Sequence, residues 1–175
     1  MLAYLFVLIA VAARFLPHPF SFTPVGAALL FFGARAQRKH AWFPLALLAG
    51  SDVILTTVIY RYPLSLEYLA TWAWYGAVLW LGAQLKENAR PLRLAGAALV
   101  TSISFFLISN FAVWAVGGMY PKTLPGLAAC YVAGVPFFRN TLASDLFFTA
   151  LLFSIATLLQ SVSPALAKRS AGTMP

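Results

Sequence analysis

Residues Pro44–Tyr60 read PLALLAGSDVILTTVIY. The run is apolar except for a few hydroxyls and one carboxylate, Asp52. A membrane-spanning helix needs about 20 such residues at a rise of 1.5 Å each. An Asp at the centre of a spanning helix costs about 2.5–3.5 kcal/mol on insertion scales, so it should face a bundle interior or a cavity. The first question is therefore which solvent surrounds this stretch. The chain has 175 residues, of which 62% are hydrophobic and 9% charged, and its mean hydropathy is +0.84. Soluble domains carry about 25% charged residues. Four acids and twelve bases are too few to cover a soluble surface. The composition points to lipid.

Outward from this stretch, the sequence divides into six apolar segments, roughly Leu2–Leu16, Phe22–Ala34, Trp42–Tyr60, Leu66–Leu85, Leu94–Gly117 and Thr141–Gln160. The second is short: its uninterrupted run, Val25–Ala34, covers half a bilayer, and Pro17, Pro19 and Pro24 forbid regular helix before it. The connection MYPKTLPGLAACYVAGVPFFRN (Met119–Asn140) carries Pro121, Pro125, Gly126, Gly134 and Pro136. It is predicted to be a folded loop or short half-helix dipping into the membrane, where protein or a wet cavity satisfies its backbone. The first segment lacks a basic leader and is read as a helix, not a cleaved signal. Residues 1–164 are expected to form one transmembrane domain and 165–175 a frayed cytoplasmic tail.

Basic residues collect in alternate loops. Arg35, Arg38, Lys39, Lys86, Arg90, Arg93, Lys168 and Arg169 fall on one side, against Arg14, Arg61, Lys122 and Arg139 on the other. By the positive-inside rule both termini are cytoplasmic, and the net charge of +8 reports topology, not nucleic-acid binding. The outer connections then hold the prolines, most of the aromatics and the odd chemistry.

Several polar groups sit inside apolar segments. Thr56 and Tyr60 follow Asp52 at i+4 and i+8, so the three share a face. Ser102, Ser109 and Asn110 fall close to one face of the fifth segment, and Thr141, Asp145 and Thr149 repeat at four on the sixth. Arg14 and Arg139, at outer helix ends, are natural partners for the two aspartates. Asp52 and Asp145 have three readings: an internal ion pair or interhelical hydrogen bond, a ligand anchor, or a proton or cation path. The Ser/Thr/Asn face suits packing, and Ala46 and Gly50 form a small-xxx-small pair suited to close helix contact. Cys130 reads as a small buried hydrophobe or as a soft ligand. His18 reads as a rim residue, and His40, among basic residues, as part of the inner loop. Aromatic walls with a few convergent polar groups are how small-molecule sites are built. On that basis Asp52, Asn110, Arg139 and Asp145 are the expected polar anchors, with Trp72, Trp114 and Phe137 as walls. PHPFSFTP (Pro17–Pro24) and Lys122–Asn140 are the expected lids. No P-loop, HExxH, GxSxG or His/Cys cluster at metal spacing occurs. The expectation is therefore no enzyme, no cofactor and no metal.

Four stretches resemble a known group: RFLPHPFSFTPVGAALLFFGA, the Ser51–Asp52 pair, SNFAVW around Asn110, and YPKTLPGLAACYVAGVPFFRNTLASDLFFTALLF. Together they resemble a bacterial family of small six-helix membrane transport proteins of unknown function. That family is in turn similar to the S components of energy-coupling factor transporters. The resemblance implies an inner-membrane protein that captures a vitamin-like micronutrient at the outer face. A separate coupling subunit with two ATPases would supply energy. Typical S components carry Ala-x-x-x-Ala in the first helix, and here Ala3, Ala10, Ala12 and Ala13 provide no such pair. Solitary, cobalamin-specific S components are the alternative pattern, and with them a corrinoid substrate and Cys130 as a cobalt ligand are implied. The fold expected is thus an all-α integral membrane bundle of about six helices. Its expected partners are a small-molecule substrate and membrane lipid. The rival functions are a proton- or ion-coupled carrier and a non-transporting structural subunit.

Overall fold

The computed structural model describes residues 1–17, 21–85 and 89–171, with side chains described through Ser161. His18, Lys86 and Glu87, and the side chains of Lys168 and Arg169, lie outside the described residues. Among the described residues the chain is all-helical, with six α-helices: α1 Leu2–Ala13, α2 Val25–Arg35, α3 Trp42–Val53, α4 Glu67–Ala83, α5 Pro91–Val116 and α6 Leu124–Ala171. A 3₁₀ turn, Arg38–His40, leads into α3, and a π-helical segment, Ile54–Ile59, prolongs it.

Three stretches are long and apolar enough to cross a membrane: Arg38–Ile59, Pro91–Val116 and Leu124–Ser161. The outward faces of the helices bear this out. Leu8, Val58, Trp80, Val100, Phe147 and Leu158 are each about half to two-thirds exposed. In water such a surface would aggregate, whereas in lipid it is the matching solvent face.

The short second helix is present and holds the centre. Val25 through Phe32 are all buried, and α2 packs on α1, α4, α5 and α6. A helix apolar on every side belongs inside a bundle. Pro24 sets its start and extended Ala36 ends it. It approaches α4 through two glycines. A Cβ on Gly33 would stand 2.2 Å from the Leu79 carbonyl, and one on Gly82 would stand 2.4 Å from that of Leu30. At α1, the Tyr4 hydroxyl hydrogen-bonds His40 Nδ1, tying the helix to the turn before α3.

The connection before the last helix differs from expectation. Only Gly117–Thr123 is non-helical, and from Leu124 the backbone runs as one 48-residue helix through Pro136 and Pro164 to Ala171. The stretch expected to be a re-entrant loop is thus helical from Leu124 on. The physical reason lies in the first turn. Thr123 Oγ1 accepts the Gly126 amide at 3.2 Å as an N-cap, and Pro125 occupies a position whose N–H has no helical partner. Pro136 is interior and leaves one carbonyl without its donor, which spanning helices tolerate. The Ala46/Gly50 pair likewise does not pack internally. Both are exposed, and a Cβ on Gly50 would meet nothing within 4 Å.

Candidate functional site

The polar residues of the apolar segments converge at one end of the bundle, where α1 stops, α2 begins and α3 passes into its π segment. A cavity of about 270 Å³ opens there, and its lining includes Arg14, Thr23, Gly26, Asp52, Thr56 and Asp145. Aromatic rings wall it: Tyr60, Tyr68, Trp74, Tyr75 and Phe105. The π segment keeps Thr56 and Tyr60 on the cavity side. Its wider turn is fastened by the Tyr60 amide on the Leu55 carbonyl at 2.8 Å and the Tyr62 amide on that of Thr56 at 2.9 Å. Such turns recur at functional positions in helices.

Asp52 is 3% exposed and fully engaged. Arg14 Nη2 pairs with Oδ1, Trp72 Nε1 donates to Oδ2 at 3.0 Å, and the Tyr75 hydroxyl donates to Oδ2 at 3.1 Å. Arg14 is held in turn by Ser51 Oγ at 2.6 Å, and that hydroxyl donates to the Leu48 carbonyl at 2.8 Å. This network joins the end of α1 to α3 and α4.

Asp145 is the opposite case. It is 2% exposed, and Ser102 Oγ donates to Oδ2 at 2.6 Å. Oδ1 takes no hydrogen bond among the described residues. It lies over Gly26, where an added Cβ would stand 2.3 Å from it. The Arg14–Asp52 pair is the one ion pair among the described residues, so no described cation balances Asp145. The neighbouring Ser144 hydroxyl donates to the Thr23 carbonyl at 2.7 Å and fastens the chain entering α2 onto α6. Ser21, on the cavity lining, and Arg61, just past the π segment, have left-handed backbones, φ 59° and 58°, uncommon for side chains with a Cβ.

The expected site residues divide into groups. Asp52 and Asp145 line the same cavity. Asn110 and Phe137 line an adjoining space of about 190 Å³, joined to it at Ser21, Phe105 and Thr141. Trp72 stands behind Asp52 and positions it. Cys130 is buried, its thiol directed at the Asn110 carbonyl at 3.3 Å, and it lines neither space. Trp114 belongs to the α5–α6 turn. Its Nε1 donates to the Pro121 carbonyl at 2.9 Å, and Lys122 Nζ donates to the Trp114 carbonyl and lies over its ring. Arg139 is exposed on α6 and lines neither space. Thr149 lies deeper on α6 than Thr141 and Asp145, away from the cavity. Arg14 is the ion-pair partner of Asp52, as expected from its position.

Tyr75, Trp74, Phe105 and Gly26 were not singled out from sequence. For Tyr75 a signal existed: Tyr68, Trp72 and Tyr75 fall on one helical face of α4. Gly26 carried none. A larger groove of about 950 Å³ lies toward the other end, between α5 and α6. Its lining is apolar apart from Arg35, Arg90 and a few hydroxyls. Among the described residues no three His, Cys, Asp or Glu side chains converge as a metal site.

An all-helical chain with membrane-length apolar helices and a buried polar cavity is the class that fold and site define. The chain belongs to a family of unknown function, DUF6580, whose profile matches residues 1–166. No curated protein and no solved structure matches the chain at a significant level.

Proposed function

We propose that the chain is a multi-pass protein of the bacterial inner membrane that binds a small molecule in the Asp52–Asp145 cavity as the capture component of a micronutrient uptake system. All six helices are embedded, with both termini cytoplasmic and the cavity at the outer face. One observation carries this reading: Asp145, buried in a lipid-facing bundle with no hydrogen bond on Oδ1 among the described residues, lines an aromatic-walled space. Ionisable groups at membrane depth are expensive and are retained where they serve a pathway or a ligand. Asp52 suits the structural reading, because its ion pair and two further donors leave it nothing to offer. Asp145 suits the binding reading.

The cavity volume, about 270 Å³, falls just below the range of about 300–1,000 Å³ typical of small-molecule sites. It favours a ligand much smaller than a corrinoid. Cys130, turned toward Asn110, lends no support to cobalt ligation. Uptake by such a component would need a coupling subunit and ATPases, since the chain carries no nucleotide motif of its own. Differential binding by the outward and inward states is sufficient for its part.

The test is a thermal-shift screen of the detergent-solubilised chain against vitamin-sized compounds, with a corrinoid as a size control. A ligand at 100 times its Kd raises stability by about 2.7 kcal/mol, or some 5–10 °C for a chain of this size. Stabilisation that is lost in Asp145→Asn supports the reading. A flat response across the panel, with Asp52→Asn merely lowering the melting temperature, favours a structural subunit. Uptake that collapses with the proton gradient and in the Asp52→Asn chain favours the coupled carrier.

A further inference from the structure

We infer that the cavity selects a small organic cation, with the carboxylate of Asp145 as its counter-ion. The inference rests on the binding reading above and deepens it to a class of ligand. Among the described residues the charged groups on the lining are Arg14, Asp52 and Asp145, with the phenols of Tyr60, Tyr68 and Tyr75 beside them. Arg14 and Asp52 neutralise one another at contact. The cavity thus keeps one carboxyl group that no described residue compensates, and a cation is the partner that holds it in its ionised form. A buried carboxylate with a free lone pair is most stabilised by a donor that also carries positive charge, because a charge-assisted bond is about twice as strong as a neutral one.

The rest of the lining favours the same partner. Five aromatic rings face the space, and a cation over an aromatic face gains about 0.5–2 kcal/mol depending on desolvation. Two of these rings are fixed. Trp74 donates its indole N–H to Ser104 Oγ at 3.0 Å, and its ring lies 4.7 Å from that of Phe105. An anionic ligand would meet Asp145 unscreened, and the one cation it could use is already spent on Asp52. A neutral ligand would leave Asp145 Oδ1 without a charged donor. Gly26 makes room for this carboxyl group: an added Cβ would stand 2.3 Å from Oδ1, and Gly26 lines the same cavity.

The experiment compares isosteric probes on the full chain in an uncharged maltoside detergent. Benzylammonium and phenethylammonium are the cations, benzyl alcohol is the neutral form and benzoate the anion. The expected result is a rise in melting temperature with millimolar benzylammonium or phenethylammonium, none with benzyl alcohol or benzoate, and an apparent affinity at least about tenfold weaker in Asp145→Asn. Asp145→Asn keeps an acceptor for Ser102, and Asp145→Glu, which restores the charge, should recover part of the cation response. Stabilisation by benzoate or benzyl alcohol without benzylammonium overturns the cation assignment while leaving a binding protein. Cation stabilisation unchanged in Asp145→Asn removes Asp145 as the counter-ion and overturns the assignment too. No response to any of the four probes overturns the inference, and the vitamin panel then decides separately whether the cavity binds anything.

Discussion

At the residue scale, the two buried aspartates have different fates, and the difference is a matter of counting donors. Among the described residues Asp52 receives Arg14, Trp72 and Tyr75, while Asp145 receives Ser102 alone. Replacing Asp52 by Asn leaves Arg14 partly buried without its counter-charge. Breaking one partner of a buried pair costs about 3–5 kcal/mol, and Arg14 is 17% exposed, so about 3 kcal/mol is the expected loss. Arg14→Gln should lose a similar amount, and the double variant much less than the sum of the two. Denaturant unfolding of the four proteins measures this, and strict additivity would mean that the pair does not hold the bundle. Gly26→Ala places a methyl against Asp145 Oδ1 and Thr101 Cγ2, at 2.3 and 2.9 Å. Overpacking of this kind costs about 1–3 kcal/mol, and any ligand held by Asp145 should bind more weakly. Both aspartates could be read from sequence as misplaced polar groups. Which of them had spare lone pairs could not, because Trp72, Tyr75 and Ser102 reach them from other helices.

At the element scale, the glycines divide by what stands opposite them. Gly33 and Gly82 face backbone carbonyls across the α2–α4 contact, and backbone cannot swing aside as a side chain can. Gly82→Ala should therefore push the helices apart and lower the melting temperature by several degrees. Gly50→Ala, on an open helix face, should raise stability by about 0.5–1 kcal/mol through helix propensity alone. Equal effects at the two positions would contradict close α2–α4 packing. Five of the six segments were legible from hydrophobic run length, to within a few residues at each end. The start of the sixth was not legible, because prolines within an apolar run read as breakers, whereas α6 runs from Leu124. The sequence TLPG at Thr123–Gly126 is itself a helix start, with a hydroxyl cap and a proline in the first turn. Pro136 interrupts α6 by one hydrogen bond, so Pro136→Ala should leave the helix intact and stabilise it, whereas a true loop would be indifferent to the change.

At the scale of the whole molecule, the proposed orientation makes a direct prediction. In a Cys130→Ala background, Lys122→Cys should react with a membrane-impermeant maleimide in intact cells, and Gln37→Cys only after permeabilisation. The opposite pattern would turn the cavity to the cytoplasm and remove outer-face capture. Composition by itself pointed to lipid, because so few charges cannot cover a soluble surface, and the length of the apolar runs pointed to helices. Run lengths determined nearly every helix, because each forms its hydrogen bonds within its own segment. The tertiary structure alone decided which polar groups share a cavity, which of them are already satisfied, and that Cys130, Trp114 and Arg139 stand apart from it. Those facts depend on distances between helices far apart in sequence, set by α2 buried at the centre and by close approach at glycines. Neither periodicity nor composition encodes them.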